Sequence, residues 1–184
     1  MRLYFPSQNP AKSREIIGML RPAGIDVIPV PLALCELQTD DLDQLIRDKL
    51  LKAFQTIGRP LFVEHTGLYL DALGGFPGGL TQLFWDRVGA KQACSLFGQS
   101  VHPGVSARTT IGFCDGRNIH QFDGIVRGRI APEPIGKHGF GWDDVFIPDG
   151  HHETFAQMGV RKDEISMRRI AFDKLIRHFA EASA

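Results

Sequence analysis

The chain has 184 residues, with 21 basic and 21 acidic side chains and a formal net charge of zero. No global field draws it to nucleic acid or anionic lipid, so any anion it binds must be held by a local cluster. Hydrophobic residues make up 43% and charged residues 23%, a globular composition that excludes a disordered or fibrous chain.

The length suits one domain over residues 1–184, or two lobes folded around one cleft. Cys35, Cys94 and Cys114 are scattered and form no CxxC pair, which argues against a disulfide framework and for a reducing compartment. The N-terminus has no apolar h-region, and no run approaches the roughly 20 apolar residues of a membrane helix. A cytoplasmic location is expected, with no membrane and no nucleic-acid partner.

In chain order, Leu3-Tyr4-Phe5 reads as a buried strand running into Ser7-Gln8-Asn9-Pro10. Asn9 is a helix cap and Pro10 suits a first helical position. Val27–Val30 is a second strand. Residues 40–57 place Leu42, Leu45, Ile46, Leu50 and Phe54 at helical spacing behind an acidic start. Pro60–Val63 is a strand. A glycine-rich loop at 74–79 precedes helices over 81–88 and 90–97. Residues 106–114 and 118–130 form a hairpin about Asp115-Gly116. Val145–Ile147 is a short strand, and a helix over 166–182 closes the chain. Helices interleaved with strands, then a hairpin, predict an α/β protein with a mixed sheet flanked by helices.

Four places can carry chemistry. Ser7, Asn9 and Lys12 stand where a strand delivers the chain to a helix N-terminus, a ready anion site; alone, this reads first as a capped helix with a solvated lysine. Glu64 and His65 follow an apolar strand, a candidate metal or general-base pair, although neighbouring strand residues face opposite sides. Phe140, Trp142 and Asp143 combine aromatic planes with a carboxylate, which can stack on a base and bond its edge. Lys162, Ser166, Arg168 and Arg169 can grip phosphate or form a solvated basic face. His151-His152-Glu153 lacks a zinc-site arrangement, and the loop at 74–79 lacks the Lys-Ser/Thr of a P-loop.

Taken in order, these pieces resemble the inosine triphosphate pyrophosphatase family of non-standard purine nucleoside triphosphate hydrolases. Ser7-x-Asn9-x-x-Lys12, Glu36-Leu37-Gln38, the strand ending at Glu64-His65-Thr66-Gly67 and Ala72-Leu73-Gly74-Gly75-Phe76-Pro77-Gly78 carry the first part. Gly139-Phe140-Gly141-Trp142-Asp143, Phe146–Gly150, Thr154-Phe155-Ala156-Gln157-Met158, Lys162 and Ser166-Met167-Arg168 carry the rest. The resemblance implies a two-lobed α/β fold with an elongated mixed sheet, usually a homodimer. It implies cleavage of ITP, dITP or XTP to the monophosphate and pyrophosphate with a divalent ion, magnesium first and manganese as the alternative. By the same resemblance Ser7, Asn9, Lys12, Lys52, Lys162, Ser166 and Arg168 would contact phosphate and ribose. Phe140, Trp142, Asp143 and Met167 would surround the base. Glu36, Glu64, His65 and Asp48 would supply metal ligands, with His65, Glu64 and Lys52 catalytic.

The departures fall on those positions. His65 replaces an Asp and favours zinc, manganese or nickel over oxygen-seeking magnesium. Arg47 stands near an expected helix Glu, with Asp48 one residue away as a substitute. Met167 replaces a His and offers no strong donor to a 6-oxo purine. Gln82 falls near a position where some members have a cation. Two outcomes are therefore open: an active pyrophosphatase with altered metal or base preference, or a nucleotide-binding protein that has lost hydrolysis.

Overall fold

Strand β1 (Arg2–Pro6) buries Leu3 and Phe5 and delivers the chain to helix α1 (Pro10–Leu20). In the computed structural model, which describes residues 1–101 and 103–182, Asn9 caps α1. Its side chain accepts the Lys12 backbone N–H at 3.1 Å, and Pro10 opens the first turn as expected.

Strand β2 (Asp26–Val30) and strand β3 (Leu61–Leu70) lie parallel to β1 on either side. The sheet continues antiparallel through β5 (Gly104–Cys114), β6 (Ile119–Ile130) and β7 (Phe146–Pro148), and the two-residue β4 (Pro77–Gly78) pairs with β3. This is the mixed sheet predicted. Helix α2 (Leu42–Ile57) begins at the Asp41 cap, whose carboxylate accepts the Asp43 and Gln44 N–H groups. Helix α3 (Thr81–Ala93) breaks at Gly89, which stands at φ 70°. Short helices α4 (Phe155–Met158) and α5 (Lys162–Ile165) lead into α6 (Met167–Ala182).

Strand β3 is the main departure from the sequence reading. It does not stop at Val63 but runs through Glu64-His65-Thr66-Gly67 to Leu70. The polar residues look like a strand end, yet the strand is central and covered on both faces, so it shows no polar alternation. Its pleat decides the site. Phe62 packs with Phe5 and Phe172 in the cluster under α1 and α6, while Leu61 and Val63 pack with Ile46 and Leu50 of α2. Glu64 follows Phe62 toward α1 and α6; His65 follows Val63 toward α2.

Two close approaches hold the remaining site segments. A Cβ on Gly79 would stand 2.4 Å from the Thr39 carbonyl oxygen, and the Gly79 N–H donates to the Asp40 carbonyl at 3.0 Å. The glycine-rich loop thus seats the segment that carries Glu36. At the start of α6, a Cβ on Gly124 would stand 1.9 Å from the Met167 carbonyl oxygen. Gly124→Ala is therefore expected to lower the unfolding free energy by about 2–3 kcal/mol, the cost of overpacking. Urea unfolding checks this; an unchanged midpoint would mean that α6 does not sit so close to β6.

Candidate functional site

Two adjoining cavities open beside the N-terminus of α1, and both are lined by Asn9 and Lys12. One, of about 690 Å³, is walled by Phe140, Trp142, Trp85 and Met167, with His65, Thr66, Gln82 and Arg168 at its edges. The other, of about 980 Å³, is lined by Ser7, Glu36, Lys49 and Glu64. Aromatic planes line the first together with Lys12, Asp143, Lys162 and Arg168, and the second has charged groups and no Trp or Tyr.

Glu64 is the hub of a buried charge network. Lys12 of α1 places its ammonium 2.5 Å from Glu64 Oε1. Arg168 of α6 places Nε 3.4 Å from Glu64 Oε2, and the Thr66 hydroxyl donates to the same oxygen at 3.3 Å. Arg168 also donates to Glu15 Oε1 at 2.7 Å. Burial pushes the Glu64 carboxyl up, but Arg168 and Lys12 outweigh it and hold the group far below the ordinary carboxylate range. Burial pulls the Lys12 ammonium below the usual lysine range, against the attraction of Glu64.

On the α2 side, Lys49 donates to Glu36 Oε1 at 2.5 Å and to the Glu64 carbonyl at 3.3 Å. Burial raises the Glu36 carboxyl, and Lys49 brings it back below its ordinary value. His65 Nδ1 faces Glu36 Oε2 at 3.7 Å. Lys162 pairs with Asp143 at 2.8 Å and lies 4.9 Å over the Phe140 ring, with the Arg168 guanidinium 5.5 Å from the same ring. Four cations, Lys12, Lys49, Lys162 and Arg168, thus stand against four carboxylates, Glu15, Glu36, Glu64 and Asp143. An anion entering here would take ammonium groups over from carboxylates already in place.

Several expected residues meet in this cleft: Ser7, Asn9, Lys12, Glu36, Glu64, His65, Phe140, Trp142, Asp143, Lys162, Met167 and Arg168 all contribute to one cavity or the network between them. Others do not. Lys52 points away, donating to the Cys35 carbonyl at 2.9 Å and pairing with Asp48 at 2.7 Å. Neither it nor Asp48 lines the cavities, and Arg47 is exposed. Lys49 takes the place expected of Lys52, one helical turn earlier. Ser166 is fully buried and caps α6, accepting the Arg169 N–H at 3.2 Å. Asp143 lines the aromatic cavity, and one of its oxygens, Oδ2, accepts the Phe140 N–H at 2.9 Å and the Lys162 ammonium at 2.8 Å, so that oxygen holds the loop. Trp142 packs on Phe146 and Phe155 and shows the cavity only part of its indole.

Lys49 and Glu15 were missed. Lys49 lies between Leu45, Ile46, Leu50 and Ala53 on the buried stripe of α2; a lysine on the apolar face of an amphipathic helix is the signal that could have found it. Glu15 lies one turn after Lys12, but its partner Arg168 is 153 positions away, and no local pattern reveals that pair. Thr154 and Gln157 form a capping box at α4, also readable from their spacing.

Among the described residues no three His, Cys, Asp or Glu side chains converge on a metal position. The set expected from the resemblance is not assembled: Asp48 is turned to Lys52, and Glu64 is claimed by Lys12 and Arg168. Glu36 and His65 remain. One carboxylate and one imidazole fit an ion that completes its shell with substrate oxygens and water, as nucleotide-bound ions do.

The imidazole of His65 sets a pH dependence. Burial and Lys49 pull it down to about 4 from an ordinary 6.5, with Glu36 opposing. The folded state therefore binds fewer protons than the unfolded one between those values, and stability is lost as pH falls through that window. From about pH 7 to about pH 5 the wild type should lose about 2 kcal/mol more than His65→Gln, read by urea unfolding at each pH. Equal losses would show that His65 is not held neutral.

Comparison with known proteins identifies the family and the fold. The profile of the Ham1 family matches residues 3–178. A dITP/XTP pyrophosphatase of Methanopyrus kandleri is 36% identical over 177 residues, covering 95% of this chain and 94% of the relative. An inosine triphosphate pyrophosphatase 2 of Trypanosoma cruzi is 37% identical, over 93% of this chain and 88% of the relative. The structure of a HAM1 protein from Coxiella burnetii superposes with a TM-score of 0.83 over 98% of this chain and 99% of its own, at 23% identity.

Proposed function

The chain belongs to the Ham1 family, and from that membership and the shape of the cleft we propose that it hydrolyses a non-standard purine nucleoside triphosphate to the monophosphate and pyrophosphate. The observation that carries this reading is the pair of cavities joined at Asn9 and Lys12, one walled by Trp85, Phe140 and Trp142 with Lys162 and Arg168, the other lined by Glu36, Lys49 and Glu64. The base would lie against Phe140 and the exposed part of Trp142, and the β- and γ-phosphates would lie among Ser7, Lys12 and Lys49. The α-phosphate would then fall at the border, beside His65. The cleaved α–β bond would then lie where the two cavities meet.

Phosphoryl transfer asks little covalent chemistry of a protein and much positioning and charge stabilisation. Lys12 and Lys49 would neutralise the leaving pyrophosphate. Glu64 fixes Lys12 and Arg168 in place; its strongly acidic carboxyl makes it a poor proton acceptor in the free cleft. His65, neutral around pH 7, would orient the attacking water. A divalent cation, the cofactor that the resemblance implies, would be held by Glu36 and His65 and would polarise phosphate oxygens when bound. Lys162 and Arg168 are cationic donors lining the base cavity; they would favour a 6-oxo purine over the 6-amino group of adenine, with Met167 adding no donor of its own.

A homodimer and a cytoplasmic location complete the proposal. Exposed Leu73, Phe76 and Leu83 offer apolar area for association, which sedimentation checks, and three free thiols suit a reducing compartment. No helix among the described residues is long and apolar enough to cross a membrane.

The test is pyrophosphate release from ITP, XTP, dITP, GTP and ATP with magnesium or manganese. ITP or XTP should exceed ATP by about a hundredfold in kcat/KM. Equal rates would remove base recognition from the proposal, and no turnover of any triphosphate would remove hydrolysis.

A further inference from the structure

We infer that Thr109, a buried threonine of β5, is a positioning residue for the cleft: its hydroxyl fixes the Thr66 hydroxyl, and through it the Glu64 carboxylate that holds Lys12 and Arg168. The inference rests on reading the cleft as a triphosphate site. Val105, Ala107, Thr109, Ile111 and Phe113 share one face of β5, and all are buried. Thr109 thus places a hydroxyl in an otherwise apolar stripe, where it costs free energy unless it finds a partner. The register of β3 against β5 sets Thr66 directly opposite, and the two Oγ1 atoms lie 2.7 Å apart.

The direction of this bond follows from the next one. The Thr66 hydroxyl donates to Glu64 Oε2 at 3.3 Å, and Arg168 and Lys12 keep that carboxyl ionised, so it can only accept. A hydroxyl has one proton to give. Thr66 therefore accepts from Thr109, and the chain runs from Thr109 to Thr66 to Glu64. Without the Thr109 hydroxyl, Thr66 is free to turn, and Oε2 keeps only the contact with Arg168 Nε at 3.4 Å. The carboxylate is then steered by two cations that stand on different helices, Lys12 on α1 and Arg168 on α6. The place of Thr109 suits this task. Gly124 lies opposite it on β6, and a Cβ there would strike the Met167 carbonyl. Thr109 thus lies on the sheet face that α6 covers where it carries Arg168.

The test is steady-state cleavage of ITP, with urea unfolding, for Thr109→Val and Thr109→Ser in the full chain. Valine keeps the branched shape and loses the hydroxyl; serine keeps the hydroxyl and loses a methyl group. Thr109→Val should lower kcat by about ten- to a hundredfold, the effect of a small misplacement remote from the chemistry. Its KM should stay within about twofold, because the loss falls on the transition state. Thr109→Ser should hold kcat within about threefold of wild type, although its urea midpoint is the lower of the two because the lost methyl leaves a gap. In a Thr66→Val background, Thr109→Val should lower kcat no further, since the two hydroxyls act as one chain. A role in packing alone reverses the order and makes the serine variant the more impaired. That result, or a wild-type kcat in Thr109→Val, overturns the inference while the proposed function stands. If the wild type cleaves no triphosphate, both fall. Should the valine variant not fold, Thr109→Ala against Thr109→Ser, which differ by the hydroxyl alone, gives the same comparison.

Discussion

Glu64→Gln lowers the unfolding free energy by about 3 kcal/mol, the cost of breaking a buried ion pair by removing one partner. The glutamine fills the same volume, so packing is kept and charge alone is lost. Arg168 retains Glu15, but Lys12 loses the carboxylate it pairs with, and two cations then face each other without the anion between them. For a chain of this length the loss corresponds to a fall in Tm of about 6–12 °C. Glu36→Gln is the control: its carboxylate is a third exposed, and an ion pair so placed contributes about 1 kcal/mol or less. Thermal and urea unfolding of both variants decide the matter. Equal small losses would mean that the Glu64 network is solvated and holds nothing together.

Lys49→Ala lowers kcat/KM for the preferred triphosphate by about a hundred- to a thousandfold, the size of effect seen when one preorganised charge is removed from a developing anion. Lys52→Ala, one helical turn away, stays within about twofold. Lys49 reaches Glu36 and the Glu64 carbonyl, whereas the Lys52 ammonium is spent on Cys35 and Asp48 outside the cavities. Lys49→Met, which keeps the aliphatic stem and loses the charge, should match the alanine variant and separate charge from packing. A larger loss in Lys52→Ala than in Lys49→Ala would reverse the assignment.

The contrast between these two lysines shows where the sequence was legible. Helix α2 was visible because Leu42, Leu45, Ile46 and Leu50 share one stripe, and α1 because Asn9 and Pro10 have fixed roles at a helix start. Which lysine served the site was a question of helix phase, and Lys49 occupies the apolar stripe while Lys52 does not. The hairpin of β5 and β6 was plain from Asp115-Gly116, whose aspartate accepts the Arg117 and Asn118 N–H groups. Strand β3 was cut short because Glu64 and His65 look like an exit to solvent. Their burial depends on Lys12, Arg168 and Glu36, which lie far away in sequence, and no periodicity carries that information. Asp143 reads as a contact for the base because it follows an aromatic residue in a loop; its further bonds to the Phe140 N–H and Lys162, both on Oδ2, depend on a fold that only the assembled chain reveals.

The most direct measurement of the central claim is phosphorus NMR of an ITP reaction with the full chain and manganese or magnesium. Cleavage at the border of the two cavities predicts inosine monophosphate and pyrophosphate as the products. Inosine diphosphate with inorganic phosphate, or ITP left intact with either ion, would contradict it.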